Sequence, residues 1–125
     1  MLFDSMYFQN AIIGSAMQAA VFRNEVISNN IANADTPGFK KSRVEFEDSL
    51  REALDNFKQT GAPDFGGVDM RAVITHENFN YRLDENNVDM ETEMSALYQN
   101  AARYDALTSM LTNNGKRFNL VVTGR

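Results

Sequence analysis

The run DENNVDMETE, Asp84 to Glu93, is the densest set of side chains that could hold a cation or trade a proton. Oxygen-ligand calcium loops need a turn glycine and carboxylates at fixed spacing, and this run has neither. Its acids suit a helix start instead, where free backbone N–H groups attract negative charge. His76 is the only histidine, and no Ser or Cys nucleophile with an orienting carboxylate is spaced around it, so it reads as a surface residue in a turn. Gly61, Gly66 and Gly67 lack the Lys-Ser or Lys-Thr of a phosphate cradle and read as a hinge. KKSR, Lys40 to Arg43, precedes Glu45, Glu47 and Asp48 and reads as a solvated charged face. No catalytic residue, metal site or cofactor is expected.

Composition narrows the classes further. A net charge of −5 argues against a nucleic-acid partner, which requires clustered cations to displace counterions from phosphates. With no cysteine there is neither a disulfide frame nor a thiolate site. Asn10, Gln18 and Arg23 interrupt the longest apolar stretch, so no direct membrane insertion is expected. Asp4 stands where a Sec signal would be basic and the first cation is Arg23, so no cleaved Sec signal is expected.

The length fits one domain. Its ends must be long helices. From Phe3 a stripe steps by three and four residues through Met6, Asn10, Ile13, Met17, Ala20, Asn24, Ile27 and Ile31, the spacing of a coiled-coil seam. A helix over 1–34 follows, roughly 45 Å long. Met90, Met94, Leu97, Ala101, Tyr104, Thr108 and Leu111 repeat the spacing, predicting a second helix over 88–125 capped by Asn86 or Asn87. Asn114-Gly115 could stop it, but Leu111, Gly115, Phe118 and Val122 continue the seam, and continuation is the expectation over a strand at 118–123. The fold class is mainly α: the two helices pair as a coiled coil through Met6, Ile13, Met17, Ile27, Ile31, Met94, Leu97, Tyr104 and Leu111.

Between them lies a middle segment, 35–87. Thr36-Pro37-Gly38-Phe39 suits a type II turn, with Pro presetting φ and Gly supplying a positive one. Ser42 and Glu45 form a capping box, predicting a short helix over 43–58 with Phe46, Leu50, Leu54 and Phe57 on one face. Alternation at Val68 to Ile74 and Phe79 to Leu83 predicts a small β-hairpin over 68–83.

The first helix also has a second, mostly apolar stripe, Phe8, Ile12, Ser15, Ala19, Phe22 and Val26, opposite the seam. One partner helix cannot cover both faces, so Phe8, Ile12, Phe22, Val26, Leu107 and Met110 are assigned to packing between subunits. Asn10 and Asn24 in the seam would fix register and partner number. The competing reading is a soluble helical adaptor or export chaperone that binds a partner helix in the second groove.

SNNIANADTPGFKK, Ser28 to Lys41, closing a long N-terminal helix, resembles the signature of bacterial flagellar rod and hook proteins through Asn29, Asn30, Ile31, Ala32, Asn33, Thr36, Pro37, Gly38 and Phe39. Many relatives carry tyrosine where this chain has Phe39. The stretch from Asn86 to Val121 is similar to the short proximal rod proteins. The resemblance implies a structural subunit of a hollow periplasmic drive shaft. Its partners would be copies of itself, other rod proteins, and basal-body adaptor, membrane-ring or export-gate proteins. It also implies uncleaved export by the flagellar type III apparatus, with Phe8 and Ile12 as the signal. On this reading Asn29, Asn30 and Asn33 satisfy backbone and neighbouring polar groups, Ala32 and Ala34 permit close approach, and Thr36 to Phe39 turn the chain outward.

Overall fold

The computed structural model describes residues 2–46, 50–52, 54–56, 71–74 and 85–124, with backbone alone at 2–5 and 71–74. The described elements are α1 (Leu2–Ala32), β1 (Ser42–Glu45), helical turns at 50–52 and 54–56 (α2), β2 (Arg71–Ile74) and α3 (Met90–Thr123). The fold is mainly helical, with the two long terminal helices packed on each other.

They run antiparallel, and hydrogen bonds set their register at three levels. Asn114 Nδ2 donates to Asn10 Oδ1 at 3.0 Å, Asn100 Nδ2 to the Ala20 carbonyl at 2.7 Å, and Asn30 Nδ2 to Glu93 Oε2 at 3.0 Å. The α1 positions lie ten residues apart, so the rungs stand roughly 15 Å apart along the pair. Asn10 is thus a cross-helix rung, whereas Asn24 is exposed.

The packed face of α3 is rotated from the expected seam. Glu93 and Asn100 are buried and Leu107 and Asn114 half-buried, while Met90, Ala101, Tyr104, Thr108 and Leu111 are exposed; Met94 and Leu97 are half-buried. Apolar periodicity misses this because polar side chains with partners occupy the inward positions.

The second stripe of α1 is covered in part by the chain itself. Ala19 and Val26 form the core with Val44 of β1 and Phe46, against which Phe22 and Leu50 pack. The expectation that only neighbouring subunits cover this face is therefore corrected at Phe22 and Val26. The capping box is also overturned: Ser42 and Glu45 bound a strand, and Leu50 N–H donates to the Phe46 carbonyl as helical backbone starts later. Val44 explains the outcome, since alternation buries it on α1 while Arg43 and Glu45 stay exposed.

β1 pairs antiparallel with β2, Val44 opposite Ala72 and Ser42 opposite Ile74. Of the strand expected over 68–74, the described part, 71–74, is extended, and its described partner is β1 rather than 79–83, which lie outside the described residues. So do His76, Gly61, Gly66, Gly67 and the helix positions at 57 and 58.

α3 runs through Asn114-Gly115 to a C-cap at Gly124, whose left-handed backbone donates its N–H to the Leu120 carbonyl. The Asn114 amide is engaged across the helix pair and so does not stop the helix. Thr108, Thr112 and Thr123 donate their hydroxyls to carbonyls four residues back, so these polar side chains are satisfied on the helix itself. The N-cap is Asp89, not Asn86 or Asn87.

Candidate functional site

Three asparagines clasp the end of α1 to the start of α3. Asn30, 1% exposed, brackets Ser42 with its amide. Its Oδ1 accepts from the Ser42 N–H at 2.9 Å and its Nδ2 donates to the Ser42 carbonyl at 2.8 Å. The same Nδ2 reaches buried Glu93, so one side chain ties α1 to β1 and to α3.

Asn86, with no exposed surface, plugs the open end of α1. Its Nδ2 donates to the carbonyls of Asn33, Ala34 and Thr36 at 3.1, 3.0 and 2.8 Å. These carbonyls belong to the turn that follows Ala32, where the helical ladder no longer supplies donors, and the amide holds that turn together. Its Oδ1 accepts from the Val88 N–H, turning the chain into α3. Asn87 Oδ1 accepts from the Lys41 N–H at 2.7 Å, while Lys40 Nζ donates to the Glu85 carbonyl.

The expected turn is present. Phe39 N–H donates to the Thr36 carbonyl, and Gly38 at φ 70° takes the left-handed position of a type II turn. Thr36, Pro37 and Gly38 are exposed and Phe39 half-buried. Asn33 braces the bend, donating Nδ2 to the Asn29 carbonyl and accepting from the Thr36 hydroxyl. Asn29 and Ala32 are exposed, Ile31 half-buried and Ala34 buried, so close approach falls on Ala34 rather than Ala32.

Asp89 starts α3. Its carboxylate accepts from the Thr92 hydroxyl at 2.6 Å and the Glu91 N–H at 3.1 Å. The Thr92 bond, above all, holds its carboxyl below the usual aspartate range. Glu93, expected to serve the helix dipole, is instead buried against Asn30. Asn86, Asn87, Glu93 and Asn100 were not expected as site residues; the density of asparagine before and within α3 was the available signal, since an amide can donate and accept at once.

The clasp is structural chemistry, with no activated nucleophile among its residues. Among the described residues no group of three or more His, Cys, Asp or Glu side chains could hold a metal. No described helix is long and apolar enough to cross a membrane.

The remaining expected positions divide between covered and open. Met6, Phe8, Ile12, Met17 and Ile27 are half-buried and Ile13 is buried. The far end of α3 is open: Met110, Leu111, Phe118, Leu120, Val121 and Val122 are all exposed, Leu120 by 61%.

A family model described as "Flagella basal body rod protein" matches residues 12–40, the second half of α1 and the turn. The chain is 30% identical over 115 residues to the flagellar basal body rod protein FlgB of Bacillus subtilis, covering 88% of this chain and 89% of that protein. It is 33% identical over 118 residues to FlgB of Borreliella burgdorferi, covering 80% and 84%. A shorter match, 38% over 81 residues, joins 57% of this chain to 28% of the flagellar basal-body rod protein FlgG of Caulobacter vibrioides.

Proposed function

Because this chain belongs to the flagellar basal body rod protein family and is of the FlgB type, we propose that it is a non-enzymatic subunit that assembles with its own copies and other rod proteins into a hollow axial shaft. The shaft transmits torque, and its lumen passes later export substrates. Its place is the periplasmic part of the basal body, reached uncleaved through the type III apparatus with Phe8 and Ile12 as the signal. Adaptor, membrane-ring and export-gate proteins are its further neighbours. The match to a FlgG-named protein supports association with other rod proteins.

One observation carries this reading: the last four turns of α3 hold a folded helix whose apolar residues are wet on several sides. Large apolar side chains exposed together on one helix end mark an interaction site. The adaptor reading fits less well, because much of its groove along the second stripe is filled by Val44, Phe46 and Leu50.

The test is a double substitution, Leu120→Asp with Val122→Asp, which touches no described core residue. Circular dichroism should show the wild-type helix content, sedimentation velocity should show lost association, and cells carrying the variant should not swim. Normal motility with the double variant would overturn the reading.

A further inference from the structure

The side of the helix pair that faces away from β1 carries a groove between α1 and α3. Two cavities of about 230 and 410 Å³ meet there at Val21 and Tyr104, with Met17 and Ala101 adding apolar lining. Val21 stands roughly 160° around α1 from Ala19, which packs toward β1. Ala101 and Tyr104 belong to the apolar stripe that the rotation of α3 leaves exposed. The groove is open to a partner, since Val21 is 49% and Tyr104 38% exposed. Glu25 lines it from α1 and Asp105 from α3, and among the described residues no Lys or Arg does.

The last turns of α3 have the complementary character. From residue 106 to the end the sequence holds Lys116, Arg117 and Arg125 and no acid, in a chain of net charge −5. Lys116 and Arg117 lie ahead of the last turn, which holds no base, so the helix dipole does not account for them. Both are exposed, as are Glu25 and Asp105, and none of the four meets an opposite charge among the described residues. Asp105 and Lys116 stand roughly 16 Å apart on one helix, too far to pair within a copy. Leu120 shares the basic face, the three side chains lying within about 100° around the axis. The lengths agree too: Lys116 to Thr123 runs roughly 11 Å and Met17 to Glu25 roughly 12 Å.

We propose that the end of α3 in one copy, from Lys116 to Thr123, seats in the α1–α3 groove of a second copy, with Leu120 against Val21 and Tyr104 and with Lys116 and Arg117 facing Asp105 and Glu25. This rests on the self-assembly reading above and names its contact. Leu120 lies roughly 160° around α3 from Tyr104, so the inserted face and the groove are on opposite sides of the helix. The contact is therefore head-to-tail and repeats from copy to copy rather than closing into a two-fold dimer. Burial of the apolar side chains supplies the attraction, and the charges select a basic helix end over an acidic one.

All four charged residues are exposed, so reversing them leaves the subunit fold intact, which circular dichroism checks. Two variants of the full chain make the test: Lys116→Glu with Arg117→Glu, and Glu25→Lys with Asp105→Lys. Assembly, followed by light scattering against concentration, should need more than about tenfold the wild-type protein for either variant alone. An equimolar mixture of the two should assemble close to the wild-type threshold, because the end of each variant then meets a groove of opposite charge on the other. If the wild type assembles and either variant alone matches its threshold, or the mixture does no better than its components, this docking is wrong and self-assembly stands. If the wild type stays monomeric at every concentration, both fall.

Discussion

At the residue scale the decisive chemistry is that of the primary amide. Asn86 donates to three carbonyls at the end of α1 and accepts from Val88, and it does so with no exposed surface. An aspartate in its place would be nearly isosteric and incapable of donating, and it would set a carboxylate oxygen against carbonyls. Asn86→Asp is therefore expected to cost about 3 kcal/mol in urea unfolding at neutral pH. An unchanged unfolding midpoint would show that the clasp carries no stability. Asn30 explains why sequence reading stopped short here. Its place in the motif was visible, but its partners Ser42 and Glu93 lie 12 and 63 positions away, beyond the reach of any local pattern.

Elements in this chain are chosen by what they can bury. Ser42 to Glu45 has the residues of a capping box and yet extends as β1, because a strand places Val44 against Ala19 and Val26 and aligns Arg43 opposite Val73. A helix start would have left the second stripe of α1 open. Local propensity thus loses to tertiary burial, which the local sequence does not encode. The long helices and the Pro-Gly turn were legible because each rests on short-range periodicity or a backbone preset. The rotation of α3 was not, since Glu93, Asn100 and Asn114 look like solvent-facing residues until their partners are placed. Phe46 anchors the middle segment, at 4% exposed within the core. Phe46→Ala should lower unfolding stability by about 3 kcal/mol, and should release β1 while leaving most of the helical circular dichroism signal in place.

The whole molecule is two long helices held firmly at one end and progressively less toward the other. The clasp, β1 and the core gather around the last half of α1 and the first turns of α3, whereas α3 from residue 115 onward is exposed throughout. Hydrogen exchange on the lone chain should therefore be slow at 93–104 and much faster at 115–123, with the latter slowing on assembly. Uniformly slow exchange along α3 before assembly would contradict this gradient. The three asparagine rungs between the helices have a mechanical consequence. Greasy seams slide by a turn at little penalty, since one methyl replaces another. A slipped pair here would strand Asn10, Asn30 and Asn100 facing side chains that cannot answer them. The hairpin is in effect a zipper with few teeth, able to close in a single alignment.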